Sequence, residues 1–227
     1  MTSDPRGESS DERIREEALR VYRRYQLEIV EALGLCPWAE RARNENKVRE
    51  RVVLCRELDQ DASLDEVSAL ADDPNVEIGL LLFPLLSTPR TEFERFVSDL
   101  SAADAARREL GHAPFAMAAF HPDARADLSD GERLIPFLRR TPDPTIQLVR
   151  HAALERVRDG FNEGTHFVDI RTIATVGISA DDTRPLRERI ARANLRAVQR
   201  VGPSEVERRL DAIRADRDVA YAKWASS

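Results

Sequence analysis

The chain has 227 residues, 33% of them charged, with a formal net charge of −6. That length allows one domain with appendages and a substantial core, and mixed charges without a basic excess exclude a general binder of nucleic acid or other polyanions. Among 35 basic residues only Lys47 and Lys223 are lysine, which reflects the usage of a GC-rich genome and not a phosphate-binding surface.

Residues 1–10 are polar, lack the apolar core of a signal peptide and read as a disordered N-terminus. Ser9 and Glu12 form a capping box. Ile14, Ala18, Val21, Tyr22, Tyr25, Ile29 and Leu33 then recur at helical spacing, which predicts a long helix closed by Gly34. A short helix starts at Pro37, and residues 48–55 read as a strand around Val52 and Val53. Ser63 and Glu66 cap a helix to about Asp72. Residues 76–84 form the clearest strand, apolar on both faces. Even the longest apolar stretch, Ile78 to Leu86, is too short to span a bilayer.

Thr88 and Pro89 open a helix carrying Phe93, Phe96, Val97, Leu100 and Leu110 and closed by Gly111. A third strand covers 115–120, and the chain is then polar and loop-rich through Gly131. Asp143 and Pro144 start a helix to about Arg158. Residues 160–182 are ambiguous, with 166–173 an edge strand or a loop. Further helices cover 185–201 and the charged segment opened by Ser204. The element order predicts an α/β fold, with α+β as the alternative. The sheet is small, three- to four-stranded, mainly parallel or ferredoxin-like, and covered by several helices. Three regions follow: the disordered 1–10, a single α/β domain over 11–203 and a C-terminal helix over 204–227.

Cys36 stands out because Gly34 ends one helix and Pro37 begins another, which places its thiol at an N-cap. Free N–H groups and the helix dipole there favour the thiolate; the alternative is a small buried residue at a junction. His121 follows the third strand, where α/β ligand sites gather, and suits a general acid/base or ligand role. On the predicted helix from 143, Gln147, Arg150, His151 and Leu154 share a face suited to binding a carboxylate or phosphate. Cys36 and Cys55 form neither a disulfide framework nor a zinc set, so a soluble cytoplasmic protein with reduced thiols is expected. The sequence carries no glycine-rich phosphate loop, Gly-x-Ser-x-Gly elbow or His-Glu-x-x-His.

Three segments taken together carry a resemblance: Gly-Leu-Cys-Pro-Trp-Ala at 34–39, Phe-His-Pro at 120–122 and Arg-Thr-Pro-Asp-Pro-Thr-Ile-Gln-Leu-Val-Arg at 140–150. In this order and spacing the chain resembles the bacterial family called domain of unknown function 1415, over roughly residues 20–157 with a weaker echo from Ile190 to Gly202. The resemblance implies a stand-alone bacterial cytoplasmic protein with Cys36, Pro37, His121, Pro122, Arg140, Pro142, Pro144 and Arg150 among its motif residues. It supplies no activity. It also implies a histidine where Gln147 stands and an aromatic where Asp143 stands, and 160–185 reads as an insertion.

Three functions fit. The first is a small-molecule enzyme with Cys36 as nucleophile and His121 as acid/base; Arg140 and Arg150, with Gln147 and His151, hold an anionic substrate. Hydrolase, lyase and transferase chemistry fit it equally. The second is a haem- or metal-binding protein with a Cys36 thiolate ligand. The third is a non-catalytic binding or interaction module docking a partner through the terminal helix. No nucleic-acid or membrane partner is expected.

Overall fold

The computed structural model describes residues 10–36, 39–108, 112–124, 127, 129–162 and 186–222. Ser9, Pro37, Trp38, Leu110, Gly111, His166 and Trp224 lie outside the described residues, as does the stretch 163–185. Helix α1 (Ser10–Tyr25) runs into a π-helical turn (Gln26–Glu31). Then come α2 (Ala39–Asn44), β1 (Val48–Val52), α3 (Gln60–Asp72), β2 (Ile78–Leu82) and α4 (Arg90–Arg107). The second half holds β3 (Phe115–Phe120), α5 (Gly131–Leu138), β4 (Thr145–Arg150), α6 (His151–Asn162), α7 (Leu186–Val201) and α8 (Pro203–Ala222). No described helix is long and apolar enough to cross a membrane.

The mixed α/β architecture expected from the sequence is present, built on a four-stranded sheet in the order β1-β2-β4-β3. β1 and β2 are parallel, joined by α3, while β4 lies antiparallel between β2 and β3. Two expectations are corrected here. Residues 145–150 form a strand and not the start of a helix, and Gly131–Leu138 form a helix where none was expected. β4 is buried by neighbours on both sides, so its side chains lack the alternation that marks a half-exposed strand. Pro136 inside α5 masks a short helix. At α3 the N-cap is Asp59, whose carboxylate accepts from Ala62 N–H, four residues before the expected start at Ser63.

Two cores flank the sheet. On one face Leu81, Ile146 and Leu148 pack against Leu64, Val67 and Leu70 of α3 and Phe93, Phe96 and Leu100 of α4. Gly79 permits this, since a Cβ there would lie 2.9 Å from Leu70 Cδ1. On the other face Ile78, Leu80 and Leu82 pack against Val21, Tyr22 and Tyr25 of α1, Leu134 and Phe137 of α5, and Val198 of α7. Val206, Leu210 and Ile213 of α8 belong to that same core. The terminal helix therefore docks its apolar side on its own chain, reinforced by ion pairs from Arg20 and Arg24 to Asp216 at 2.8 and 3.0 Å. Those bonds, Arg20 first, hold the Asp216 carboxyl down at about 2.

Candidate functional site

The end of the π-helical turn sets the position of Cys36. Gly34 has φ 62°, as its predicted place beyond a helix end requires. Leu35 N–H donates to Val30 C=O at 2.9 Å and Gly34 N–H to Glu31 C=O at 3.0 Å, the two bonds of a Schellman closure. The chain reverses, and Leu35 and Cys36 both line a cavity of about 580 Å³. Cys36 C=O accepts from Ala39 N–H at 3.3 Å at the entry to α2, and the residue is half-buried. Neither Cys36 nor Cys55 is in a disulfide. Burial raises the pKa of Cys55, which lies outside this cavity.

The cavity lies between the sheet and the helices α1, α5 and α7. Its size falls within the range of about 300–1,000 Å³ typical of small-molecule sites. The walls are mainly apolar, with Tyr22 and Tyr25 of α1, Ile78 and Leu80 of β2, Phe120 of β3 and Leu138 of α5. Burial pushes both phenols well above their ordinary pKa, so they remain neutral. The Tyr25 hydroxyl is engaged, donating to Leu138 C=O at 2.7 Å.

Besides the tyrosines, the polar side chains on the wall are Gln26, Cys36, Arg139, Gln147 and Asn194. Gln26 Nε2 donates to Glu31 at 3.0 Å, and Glu31 is gripped by the Arg43 fork at 2.8 and 2.9 Å, which ties the π-helical turn to α2. The Arg139 guanidinium lies 5.1 Å over the Phe120 ring. Gln147 occupies the central strand β4, paired with Leu80 and Ala118, and its side chain makes no hydrogen bond among the described residues. Asn194 on α7 is 7% exposed, and its Oδ1 has no partner among the described residues.

Sequence reasoning missed Arg139, Gln26 and Asn194. A signal for the last exists: along α7 Ile190, Ala191, Ala197, Val198 and Val201 form an apolar stripe, and Asn194 interrupts it.

The structure does not bring Cys36 and His121 together. Phe120 faces the cavity, and strand alternation sends the next residue the other way. The His121 ring lies 5.9 Å from that of Phe93 in the α4-side core and is 4% exposed. Its Nε2 lies 3.0 Å from Thr88 C=O, and its Nδ1 accepts from Asp123 N–H at 3.2 Å. These partners assign the neutral ring with its proton on Nε2. Burial lowers its pKa, favouring the same form. Both ring nitrogens are thus engaged in the fold.

The expected anion-binding face also comes apart, because 145–150 is a strand and Gln147 and Arg150 point to opposite sides of the sheet. Gln147 faces the cavity. Arg150 binds the carbonyls at the end of α3, with Nε 2.7 Å from Val76 O and Nη2 2.9 Å from Asp73 O, and stacks over Phe115. Arg140 reaches Pro122 C=O at 3.3 Å and pairs with Glu207 and Asp211 of α8. His151 is exposed at the first residue of α6. Among the described residues no three His, Cys, Asp or Glu side chains gather as a metal site.

The model of a protein family described as "Protein of unknown function (DUF1415)" matches residues 19–185. The chain belongs to this family. No match was found among curated proteins or solved structures. The DUF1415 match divides the cavity. Cys36, Arg139 and Gln147 lie inside the matched span, whereas Ile190, Ala191 and Asn194 of α7 lie beyond residue 185. The histidine expected at position 147 would face the cavity, and this chain places a neutral carboxamide there.

Proposed function

We propose that the protein binds a small, mainly apolar organic molecule in this cavity and that the Cys36 thiol is the nucleophile that meets it. The reading rests on one observation: a thiol stands on the wall of an otherwise largely apolar cavity of about 580 Å³. Arg139, on the same wall, supplies the positive charge for an anionic substituent. Arg140 and Arg150 do not line the cavity, and their guanidiniums bind elsewhere in the fold. His121 has no part in this reading, because its ring faces the other core. A bacterial cytoplasmic setting, where both thiols stay reduced, belongs to the same proposal.

The test compares modification of Cys36 by N-phenylmaleimide, an apolar electrophile, and by iodoacetamide, a small polar one, followed by mass spectrometry with Cys55 as internal control. In the maleimide reaction the sulfur adds to one alkene carbon and a proton to the other. The expected result is a preference for the maleimide at least tenfold greater at Cys36 than at Cys55. Leu154→Trp or Ile190→Trp, each narrowing the cavity from a half-buried position, removes that preference. Equal preference at both cysteines, or reaction of Cys36 only in denaturant, overturns the proposal.

A further inference from the structure

Gln147 and Asn194 belong to different walls of the cavity, one on the sheet and one on α7. Neither position is one where packing asks for a carboxamide. Gln147 stands in the central strand between Leu80 and Ala118, where β-branched or other apolar side chains are favoured. Asn194 interrupts the apolar stripe of α7, and asparagine is a poor helix former. Buried polar atoms in folded proteins are nearly always hydrogen-bonded, so a buried amide oxygen without a partner calls for an explanation. Asn194 Oδ1 is such an atom, in a side chain more than nine-tenths buried that lines the cavity.

Its place is fixed by close packing. The start of α5 approaches α7 so closely that a Cβ at Gly131 would lie 2.6 Å from Ala191 O, one helical turn before Asn194. A carboxamide offers one acceptor oxygen and two N–H donors and carries no charge. Two of them facing one cavity complement a neutral group that presents N–H and C=O along one edge. An apolar ligand lacking that edge leaves both carboxamides unpaired, and the site discriminates against it.

We infer that Gln147 and Asn194 recognise a ligand carrying an amide-type edge, N–H beside C=O, as in a carboxamide, lactam, cyclic imide or nucleobase. The inference rests on the cavity being a ligand site and names the chemical class of that ligand. The rest of the molecule fits the walls of Tyr22, Leu80 and Phe120. Arg139 takes any acidic substituent the ligand bears.

The probes are phthalimide and N-methylphthalimide, equal in ring system and differing in the imide N–H, with binding to the full chain read by isothermal titration. Wild type is expected to bind phthalimide at least tenfold more tightly. Asn194→Leu and Gln147→Leu each reduce the difference to less than threefold. Asn194→Leu is also expected to raise Tm, because an apolar side chain replaces a buried oxygen without a partner. A fall in Tm would assign Asn194 to the fold and overturn the inference. Equal affinity of wild type for the two probes, or binding of neither, overturns it as well. An unchanged preference in both variants does the same. The cavity reading is judged separately by the Cys36 modification rates, so its failure is distinguishable from failure here.

Discussion

Nε of Arg217 lies 2.8 Å from Oδ1 of Asp143, a residue only 2% exposed. Tyr221 donates to Oδ2 of the same carboxylate at 2.7 Å, and Arg217 Nη2 reaches Pro84 C=O at 3.1 Å. These bonds fasten α8 to the Pro-Asp-Pro loop that leads into β4. Burial raises the Asp143 pKa, and Arg217 and Tyr221 pull against that shift.

Arg217→Ala leaves Asp143 buried beside Tyr221 without its cation. Removing one member of a buried pair costs on the order of 3 kcal/mol, to be read as a lower urea midpoint. Asp143→Asn added to Arg217→Ala recovers part of the loss, because the amide carries no charge. A midpoint unchanged by Arg217→Ala would show that the Arg217–Asp143 pair adds nothing to the docking of α8.

Arg150→Met removes the donors that bind the carbonyls of Val76, Asp73, Ala71 and Leu70. Losing those bonds, with Asp73 C=O still accepting from Val76 N–H, is expected to cost about 2 kcal/mol in denaturant unfolding. Because Arg150 faces away from the cavity, the ratio of maleimide to iodoacetamide rates at Cys36 stays at the wild-type value in the folded variant. A changed ratio would assign Arg150 to the site.

His121 gives the fold a pH dependence. Its pKa is lowered from 6.5 in the folded protein, by burial first. Below that value the unfolded chain binds a proton that the folded one resists, so stability falls on acidification from about pH 7 to 5.5 and rises with increasing pH. One such group contributes up to about 1.4 kcal/mol per pH unit. Asp123, Arg90 and Glu94 are the charged groups around the ring. The measurement is the unfolding free energy of wild type minus that of His121→Gln across this range. A flat difference would show that the ring is not held neutral.

Gly131→Ala drives a methyl group against the backbone of Ala191, 2.6 Å from its carbonyl oxygen. Overpacking of this kind typically costs about 1–3 kcal/mol. The displaced element is α7, so the maleimide preference at Cys36 is expected to fall together with Tm. Loss of Tm with the preference intact would place the cost in α5 alone.

Features fixed by neighbours in the chain were the legible ones. Gly34 adopts the left-handed conformation its position demands, and the run Ile78–Leu82 is the fully buried strand its composition promised. Cys36 stands at the entry to α2 for the same local reason. What was misread depended on distant partners. Residues 145–150 become a strand because β2 and β3 lie on either side, and no local periodicity separates that from a buried helical turn. With the helix went the shared face of Gln147 and Arg150, and with the alternation of β3 went the pairing of Cys36 with His121. Asn194 was missed because its burial depends on the sheet and α5 packing against α7, and a single asparagine on an apolar stripe does not reveal that.

The antiparallel insertion of β4 has a consequence during synthesis. β4 is made after both of its neighbours, so β3 and the β4-facing edge of β2 leave the ribosome before that partner exists, although β1 is already available to pair with β2. Only when residue 150 is available does the sheet close, and α7, which roofs the cavity, follows still later. Nascent chains cut off before α7 should therefore carry a sheet but no enclosed pocket. The cavity is complete only once α7 has been made, after every strand of the sheet and before α8.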